Sequence, residues 1–253
     1  MKTVIKALTV AGLFILLVVS PVFISGSGNT TIQVCSATAS AGNNCISENA
    51  PVKQQSEAAT LYDAMKLKRF GLSKAAFEYA YKGYHYLLNK KILNSATVLS
   101  ICDFSQSSRH KRFFVIDVNQ QKVIVNTYVA HGRNSGSEYA RSFSNSPESH
   151  MSSLGFYKTE NTYYGDHGLA LKIEGLEKGF NDRADERNIV VHGSKYVGSD
   201  FLRYNRFNGR SFGCPAIPAN QTAKVINTIK NGSCLFIYHP TKKYLTQSKI
   251  LNG

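Results

Sequence analysis

A histidine and a cysteine in the C-terminal part of the chain have the residue types and spacing of a nucleophilic site. His192 ends an apolar run and precedes Gly193, and Cys214 stands 22 residues after His192, between Gly213 and Pro215. An ordinary thiol has a pKa of about 8.5, so a cysteine nucleophile needs a neighbouring base such as an imidazole. The pair predicts a Cys-His site, and an inert buried thiol or half of a disulfide is the alternative.

The residues beside the thiol suit attack on a carbonyl group. Gly213 leaves room for a substrate against the backbone. Its N–H and that of Cys214 are predicted to bind the oxyanion that such an attack forms. Pro215 lacks an N–H and keeps the backbone rigid directly after the nucleophile. These features favour acyl transfer through a thioester at Cys214.

The first 27 residues have the layout of a secretory signal peptide. Lys2 and Lys6 precede an apolar run over 7–19, and small residues follow. The run is shorter than the roughly 20 residues that a membrane-spanning helix needs. We predict cleavage near Ser27 and export to the periplasm or cell envelope. Retention as an N-terminal anchor is the alternative.

The chain is strongly basic, with a formal net charge of +14. Removal of residues 1–27 takes away two lysines and no acidic residue, so the charge falls to +12. Such a charge suits a polyanionic partner. Because export makes contact with nucleic acid improbable, we expect an anionic wall polymer or membrane surface rather than nucleic acid. Ordinary solvated charge is the simpler alternative.

Five cysteines in an exported chain leave one thiol unpaired if the others form disulfides. If Cys214 is that thiol, the other four allow three pairings, and the short loop between Cys35 and Cys45 is the first candidate. The four are Cys35, Cys45, Cys102 and Cys234, and a reducing or cysteine-tolerant periplasm would leave some of them free. The chain has no H-E-x-x-H motif and no paired C-x-x-C spacing, so no metal site or cofactor is predicted.

Composition and periodicity divide the chain into four segments. Residues 1–27 form the signal peptide, and residues 28–55 are rich in Ser, Thr, Asn and Ala, which predicts an exposed linker. Residues 56–95 have helical spacing, and residues 96–253 alternate between apolar and polar positions as half-buried strands do. The fold class is therefore predicted as α+β, with a mainly antiparallel β core and an N-terminal pair of helices.

Local signals mark the ends of the two helices. The first is predicted to begin at Ser56 and to end at Gly71, and Ser73 is predicted to cap the second. Leu72 and Phe77 occupy the two positions of a hydrophobic staple around this cap. We therefore expect the two helices to follow one another closely.

The segment after residue 95 contains five predicted strands and a short helix. The strands are expected over 112–118, 123–129, 169–173, 189–191 and 234–238, and the helix over 219–230. Residues 132–164 are predicted to form a long polar loop of the kind that often has a function. His131, just before this loop, is interpreted as substrate-side or structural, and His150 and His167 as ordinary loop histidines.

Several motifs together resemble a known family. His192-Gly193 followed by Ser211-x-Gly213-Cys214 is similar to the signature of the L,D-transpeptidase (YkuD-type) catalytic domain. Further blocks in the same order resemble the branch called the murein L,D-transpeptidase catalytic domain family, and they lie at 143–147, 152–157, 174–176, 179–182 and 209–215. The resemblance extends from about Leu61 to the last predicted strand.

The resemblance implies a mainly β core, location in the cell envelope and cysteine acyl transfer on peptidoglycan stem peptides. By position, Cys214 would be the nucleophile and His192 the general base. The backbone carbonyl of Gly193 would orient the imidazole. Arg210 and Ser211 match the motif and would shape the loop or hold the substrate.

Phe212 departs from the wider family, which often has histidine at this position. The departure removes a second imidazole beside the thiol, so His192 is expected to act first as base and then as acid. Cys214 would expel the terminal D-amino acid of a stem and pass the acyl group to an amine of a neighbouring stem. With water as acceptor, the protein would be an L,D-carboxypeptidase. A non-catalytic wall-binding protein is a further alternative, and a monomer is expected.

Overall fold

The computed structural model describes residues 56–166 and 168–253. The predicted signal peptide, the linker, Cys35, Cys45 and His167 lie outside the described residues. No helix within the described part of the chain is long and apolar enough to span a membrane. The domain boundaries inferred from composition stay predictions.

Eight strands form a single sheet. They are β1 (Val98–Asp103), β2 (Phe113–Asp117), β3 (Lys122–Thr127), β4 (Gly155–Gly165), β5 (Gly168–Gly175), β6 (Val190–Ser194), β7 (Ala216–Pro218) and β8 (Cys234–Tyr238). Their order across the sheet is β3-β2-β1-β8-β4-β5-β6-β7. Neighbouring strands are antiparallel except for β1 with β8 and β6 with β7.

The two ends of the sheet meet, so the sheet is nearly a barrel. Ala130 lies three residues after β3 and forms a bridge with Ala216 of β7. The Ala130 N–H donates to the Ala216 carbonyl over 2.8 Å. The predicted α+β class with a mainly antiparallel core is confirmed.

Two helices precede the sheet, as predicted. Helix α1 (Glu57–Ala64) is capped by Ser56, and α2 (Lys74–Asn89) is capped by Ser73. The expectation that α1 continues to Gly71 was wrong. Lys66 adopts a left-handed conformation with φ 53°, which ends the α-helix, and a short 3-10 turn then leads to Gly71.

Helix α2 packs against the sheet and shares its hydrophobic core. Leu72 and Phe77, the predicted staple, are both buried. Gly83 allows the helix to approach Phe156 of β4, because a Cβ at position 83 would lie 2.0 Å from the Phe156 Cζ. Tyr79 stacks on Tyr238 of β8 with ring centroids 6.0 Å apart.

Four further α-helices lie among the described residues. They are α3 (Ser199–Leu202), α4 (Thr222–Ile229), α5 (Lys242–Gln247) and α6 (Lys249–Asn252). The buried carboxylate of Glu177 connects α5 and α6 to the sheet. It accepts hydrogen bonds from the Phe156 N–H (2.8 Å), the Tyr244 hydroxyl (2.8 Å) and the Ser248 hydroxyl. These donors compensate for the removal of the charge from water.

The sequence patterns missed β1, β4 and β7. All six residues of β1 are buried, so the strand shows no alternation. The predicted polar loop over 132–164 was wrong at its C-terminal end, because β4 begins at Gly155. The distal half of β4 pairs only with β5 and is largely exposed, which explains its loop-like polar composition.

The disulfide hypothesis fails for the described cysteines. Cys102, Cys214 and Cys234 are all free thiols. Cys102 of β1 lies opposite Ile237 of β8, three residues along that strand from Cys234. Three residues of strand span about 10 Å, which is too far for a disulfide. The odd number of cysteines therefore does not single out Cys214.

We expect Gly83→Ala to lower the free energy of unfolding by about 1–3 kcal/mol, because the added methyl group must displace the Phe156 ring. The gain in helix propensity of up to about 1 kcal/mol offsets only part of this cost. Urea unfolding followed by circular dichroism measures the change. Lys82→Ala, at the preceding exposed position, is the matched control and should change stability by less than about 0.5 kcal/mol. A Gly83→Ala protein as stable as the wild type would contradict this packing.

Candidate active site

Strand β6 positions the histidine. His192 is its third residue, opposite Ala170 of β5 and Ala216 of β7. Both partners are alanines, whose small side chains leave space for the imidazole. His192 is only 5% exposed, and its reactive edge is therefore confined to the inside of the site.

A backbone carbonyl orients this imidazole. The His192 Nδ1 lies 3.0 Å from the Gly193 carbonyl oxygen. Since a carbonyl only accepts, Nδ1 carries the proton and Nε2 has the basic lone pair of the neutral ring. Packing also requires a glycine at position 193, because a Cβ there would lie 2.0 Å from the Thr222 Oγ1 of α4. The hydrogen bond inferred from the family resemblance is present.

The thiol of Cys214 lies beside the start of the same strand. Its Sγ donates to the Asn188 carbonyl over 3.5 Å and accepts from the Val190 N–H over 3.5 Å. Val190 precedes His192 by two residues, a rise of about 7 Å along the strand. The half-buried thiol therefore lies at the start of β6, and the imidazole is carried by the middle of the same strand.

Ser211 shapes the loop that presents the thiol. Its hydroxyl donates to the Cys214 carbonyl over 2.6 Å and accepts from the Gly213 N–H over 3.1 Å. Gly213 has φ 127°, a conformation that other residues rarely adopt. The Gly213 N–H, predicted as an oxyanion donor, is thus bound to Ser211 in this structure. It becomes available to an oxyanion only if that bond breaks.

His131 supports Ser211 from behind. The Ser211 N–H donates to the His131 carbonyl over 3.0 Å. The fully buried imidazole has its Nδ1 2.7 Å from the Arg112 Nη2 and its Nε2 3.3 Å from the Gly136 carbonyl. Burial and the Arg112 charge lower the pKa of His131 to about 3. His131 is therefore a neutral structural residue rather than a substrate ligand.

Phe212 forms an exposed aromatic platform, with 63% of its surface accessible. His150 stacks on this ring with centroids 4.6 Å apart, and the Arg133 guanidinium lies 4.7 Å from the ring centroid. His150 was predicted to be an ordinary loop histidine. The structure instead supplies an imidazole next to Phe212 from a distant segment, although it lies on the phenyl ring rather than on the thiol.

Arg210 lies at the edge of this platform. Its Nη1 is 3.4 Å from the Arg133 carbonyl and 3.3 Å from the Gly136 carbonyl. Both bonds connect the loop before the nucleophile to the segment after His131. Of the two roles expected for Arg210, shaping of the loop is the one these contacts support.

Two clefts border Asn188, whose carbonyl accepts a hydrogen bond from the Cys214 thiol. One has a volume of about 440 Å³, and its lining includes Tyr163, Lys172, Asp185, Asn188 and Val190. The other has a volume of about 270 Å³, and its lining includes Glu148, His150, Arg187, Asn188 and Phe212. A further cleft, beside Lys195 and Phe201, does not include Asn188 in its lining. The linings of the first two clefts do not include Cys214 or His192, but both clefts include Asn188, which binds the thiol.

Comparison with known proteins assigns the family. Residues 68–238, more than half of the chain, match the L,D-transpeptidase catalytic domain. The chain belongs to the L,D-transpeptidase catalytic domain family. Membership supports a transpeptidase-type enzyme that modifies peptidoglycan. No curated protein sequence matches the chain.

Solved structures with a similar domain have low sequence identity to this L,D-transpeptidase family member. An L,D-transpeptidase from Mycobacterium smegmatis is 12% identical with a TM-score of 0.35, over 56% of this chain and 59% of that one. An L,D-transpeptidase from Xylanimonas cellulosilytica is 12% identical with a TM-score of 0.33, over 70% and 92%. The helical cell shape determining protein of Campylobacter jejuni is 14% identical with a TM-score of 0.37, over 63% and 57%. The match spans less than two thirds of the mycobacterial and Campylobacter chains.

The thiol of this L,D-transpeptidase domain is protonated at rest. Burial raises the pKa of Cys214, and this effect is larger than the opposing effects of the Val190 N–H and the Arg187 charge. The hydrogen bond from Sγ to the Asn188 carbonyl also requires the proton. A base must therefore remove the proton when the thiol attacks.

Three residues of the site were missed by the sequence analysis. Asn188 and Val190 act through backbone atoms, which no residue type reveals. Arg187 lies within the charged run 182–187 that leads into β6, and nothing in that run separates it from the exposed Arg183. Among residues 56–166 and 168–253, no group of three His, Cys, Asp or Glu side chains is arranged to bind a metal ion.

Iodoacetamide is expected to alkylate Cys214 in the folded protein. Cys102 and Cys234 are each 0% exposed and should react only after unfolding. Because burial raises the pKa of Cys214, its rate of alkylation should rise with pH through a midpoint above the ordinary value of about 8.5. Peptide mapping by mass spectrometry from about pH 6 to about pH 10.5 measures the midpoint. A midpoint near pH 7 would show that the thiolate is stabilised far more than these contacts indicate.

Proposed function

We propose that the protein is a cysteine acyltransferase of the cell envelope that acts on peptidoglycan stem peptides. Cys214 is the nucleophile, and His192 is the general base. The observation that carries the proposal is the hydrogen bond between the Cys214 thiol and the Val190 N–H at the start of β6. Val190 lies two residues along this strand from His192, whose Nδ1 is fixed by the Gly193 carbonyl. Family membership supplies the substrate class.

The first half-reaction transfers the acyl group to the enzyme. His192 Nε2 takes the thiol proton, and Sγ attacks the carbonyl carbon of the third stem residue. The tetrahedral oxyanion collapses, the bond to the terminal D-amino acid breaks, and His192 returns the proton to the departing amine. A thioester on Cys214 remains. One imidazole performs both proton transfers, as the absence of a histidine at position 212 implies.

The second half-reaction releases the acyl group. An amine from a neighbouring stem attacks the thioester carbonyl, His192 takes the amine proton, and the proton returns to the departing thiolate. The two clefts beside Asn188 offer separate approaches for the donor and acceptor stems. If water replaces the amine, the same thioester is hydrolysed and the protein is an L,D-carboxypeptidase.

The oxyanion is stabilised by backbone donors. Burial raises the thiol pKa, and the Cys214 N–H is one of the groups that oppose this effect. We assign this N–H as the principal donor. The Gly213 N–H joins it only when the bond to Ser211 opens. Loss of a single such donor typically lowers a rate by about 100- to 1000-fold.

The basic surface suits the same location. An exported protein with a net charge of +14 in its full sequence is attracted to anionic wall polymers. This attraction is long-range and weakens as salt is added. It concentrates the protein at the wall but supplies no chemistry. Signal-peptide cleavage and a monomeric state are part of the proposal.

Incubation of the mature protein with a disaccharide-tetrapeptide tests the function. We expect loss of the terminal D-alanine together with a cross-linked dimer, both detected by mass spectrometry. Cys214→Ala should abolish both products. His192→Gln should lower the rate by about 100- to 10,000-fold, the range for loss of general acid–base catalysis. His110→Gln, at an exposed position, is the matched control and should keep the wild-type rate.

The products separate the alternatives. Loss of D-alanine without a dimer assigns the protein as an L,D-carboxypeptidase. Binding of peptidoglycan without any change in mass leaves only a wall-binding role. If Cys214→Ala retained the wild-type products, the nucleophile would have to be another residue and the mechanism above would be rejected.

A further inference from the structure

Arg187 is a charged side chain that binds the segment 144–153 and lies beside the loop that carries Cys214. Its Nη1 donates to the Ser144 carbonyl over 2.8 Å and to the Ser153 hydroxyl over 3.1 Å. Its Nη2 donates to the Met151 carbonyl over 2.5 Å and to the Ser149 hydroxyl over 3.4 Å. This planar fork therefore holds a segment without regular secondary structure at four points.

The same guanidinium lies against the residue that precedes the nucleophile. A Cβ at Gly213 would lie 3.1 Å from the Arg187 Nη2 and 2.8 Å from the Met151 carbonyl oxygen. The Ser152 hydroxyl donates to the Gly213 carbonyl over 3.3 Å, so the held segment also bonds directly to the loop. The position of Cys214 is thus determined by a layer that depends on Arg187.

The charge of Arg187 acts on the thiol. Burial raises the pKa of Cys214, and the Arg187 charge opposes this effect. Burial lowers the pKa of Arg187, and the charges of Tyr157 and Cys214 oppose that effect. The nearest acid in sequence, Glu186, does not neutralise it. Glu186 is bound by Arg183 through two bonds of 2.7 and 2.8 Å on the exposed side of the turn. The half-buried guanidinium is bound only by carbonyl and hydroxyl oxygens.

Few other ionisable groups face the thiol. His192 lies on β6, and Tyr196, whose pKa the Cys214 charge raises, follows on the same connection. Tyr163, Lys172 and Asp185 line the larger cleft. Glu148, His150 and Glu186 line the smaller one together with Arg187. Lys172 and Asp185 have opposite charges, so Arg187 is the cation with a direct structural connection to the nucleophile loop.

We propose that Arg187 is a positioning residue for the nucleophile loop and that its positive charge stabilises the Cys214 thiolate. The proposal rests on the nucleophilic role of Cys214. It assigns a function to a residue outside the His-Gly and Ser-x-Gly-Cys motifs. Neutralisation of Arg187 should therefore make the thiolate less populated at every pH, beyond any loss of rigidity.

Alkylation of Cys214 by iodoacetamide tests this role without any peptidoglycan substrate. In Arg187→Met, we expect the pH midpoint of alkylation to rise by about one unit, because loss of a close opposite charge shifts a pKa by roughly one to three units. Arg187→Lys keeps the charge without the fork, so its midpoint should stay within about half a unit of the wild type. Arg183→Met removes an exposed arginine from the same turn and should leave the midpoint unchanged.

Alkylation of Cys102 and Cys234 would reveal an Arg187→Met protein that does not fold. A second pair of variants tests the charge in that case. Ser149→Asp places a carboxylate against the Arg187 Nη2 and neutralises the guanidinium without removing it. Its midpoint should rise. Ser149→Asn is the uncharged control of similar shape, and it should match the wild type.

The outcomes distinguish this inference from the proposed function. If a folded Arg187→Met protein or the Ser149→Asp protein keeps the wild-type midpoint, the role of the charge is overturned while Cys214 remains a reactive thiol. If Cys214 of the wild type does not react at any pH, the nucleophile assignment itself fails. A midpoint in Arg187→Lys as high as in Arg187→Met would also contradict the proposal, because charge alone should preserve it.

Discussion

The parallel pairing of β6 with β7 is the constraint on which the site depends. His192 lies opposite Ala216 in this pair, so Cys214, two residues before Ala216, is carried to the start of β6. Two parallel strands cannot be joined by a tight turn. The connection must cross back over the end of the sheet, and its last residues form the loop that presents the thiol. The proposed base is thus on a strand, and the proposed nucleophile is on the loop that returns to it.

Buried polar groups give this loop its rigidity. Arg112 and Arg187 are each removed from water, fully or in part, and each is bound by carbonyl, hydroxyl or imidazole groups rather than by an opposite charge. Leaving any of these groups unpaired would cost several kcal/mol, so the surrounding segments have few alternative arrangements. The Ser211 bonds to Gly213 and Cys214 complete the same network. Loops without regular secondary structure can therefore hold a thiol and an imidazole in a defined relation.

Short sequence patterns correctly predicted the elements whose formation depends on residues close to one another in the sequence. The serine caps at Ser56 and Ser73 and the strands around 113–117 and 234–238 follow from short patterns. Strand β1 was missed because burial on both faces removes alternation. The distal half of β4 was missed because it pairs with only one neighbour and carries polar residues. In both cases, the polarity pattern of the strand depends on the segments that pack against it. The sequence of the strand alone does not specify those segments.

The sequence by itself determined the family and predicted the nucleophile and the base, because these depend on residue types in a fixed order. Only the tertiary structure decided what surrounds the thiol. The Asn188 carbonyl and the Val190 N–H are backbone atoms, and the Arg187 fork reaches carbonyls and hydroxyls 34 to 43 residues away. Hydrogen bonds and charges act over a few ångströms of space rather than over a number of residues. Three features could therefore be recognised only in the folded chain. They are the protonation of the thiol, the hydrogen bond that occupies the Gly213 N–H, and the stacking of His150 on Phe212.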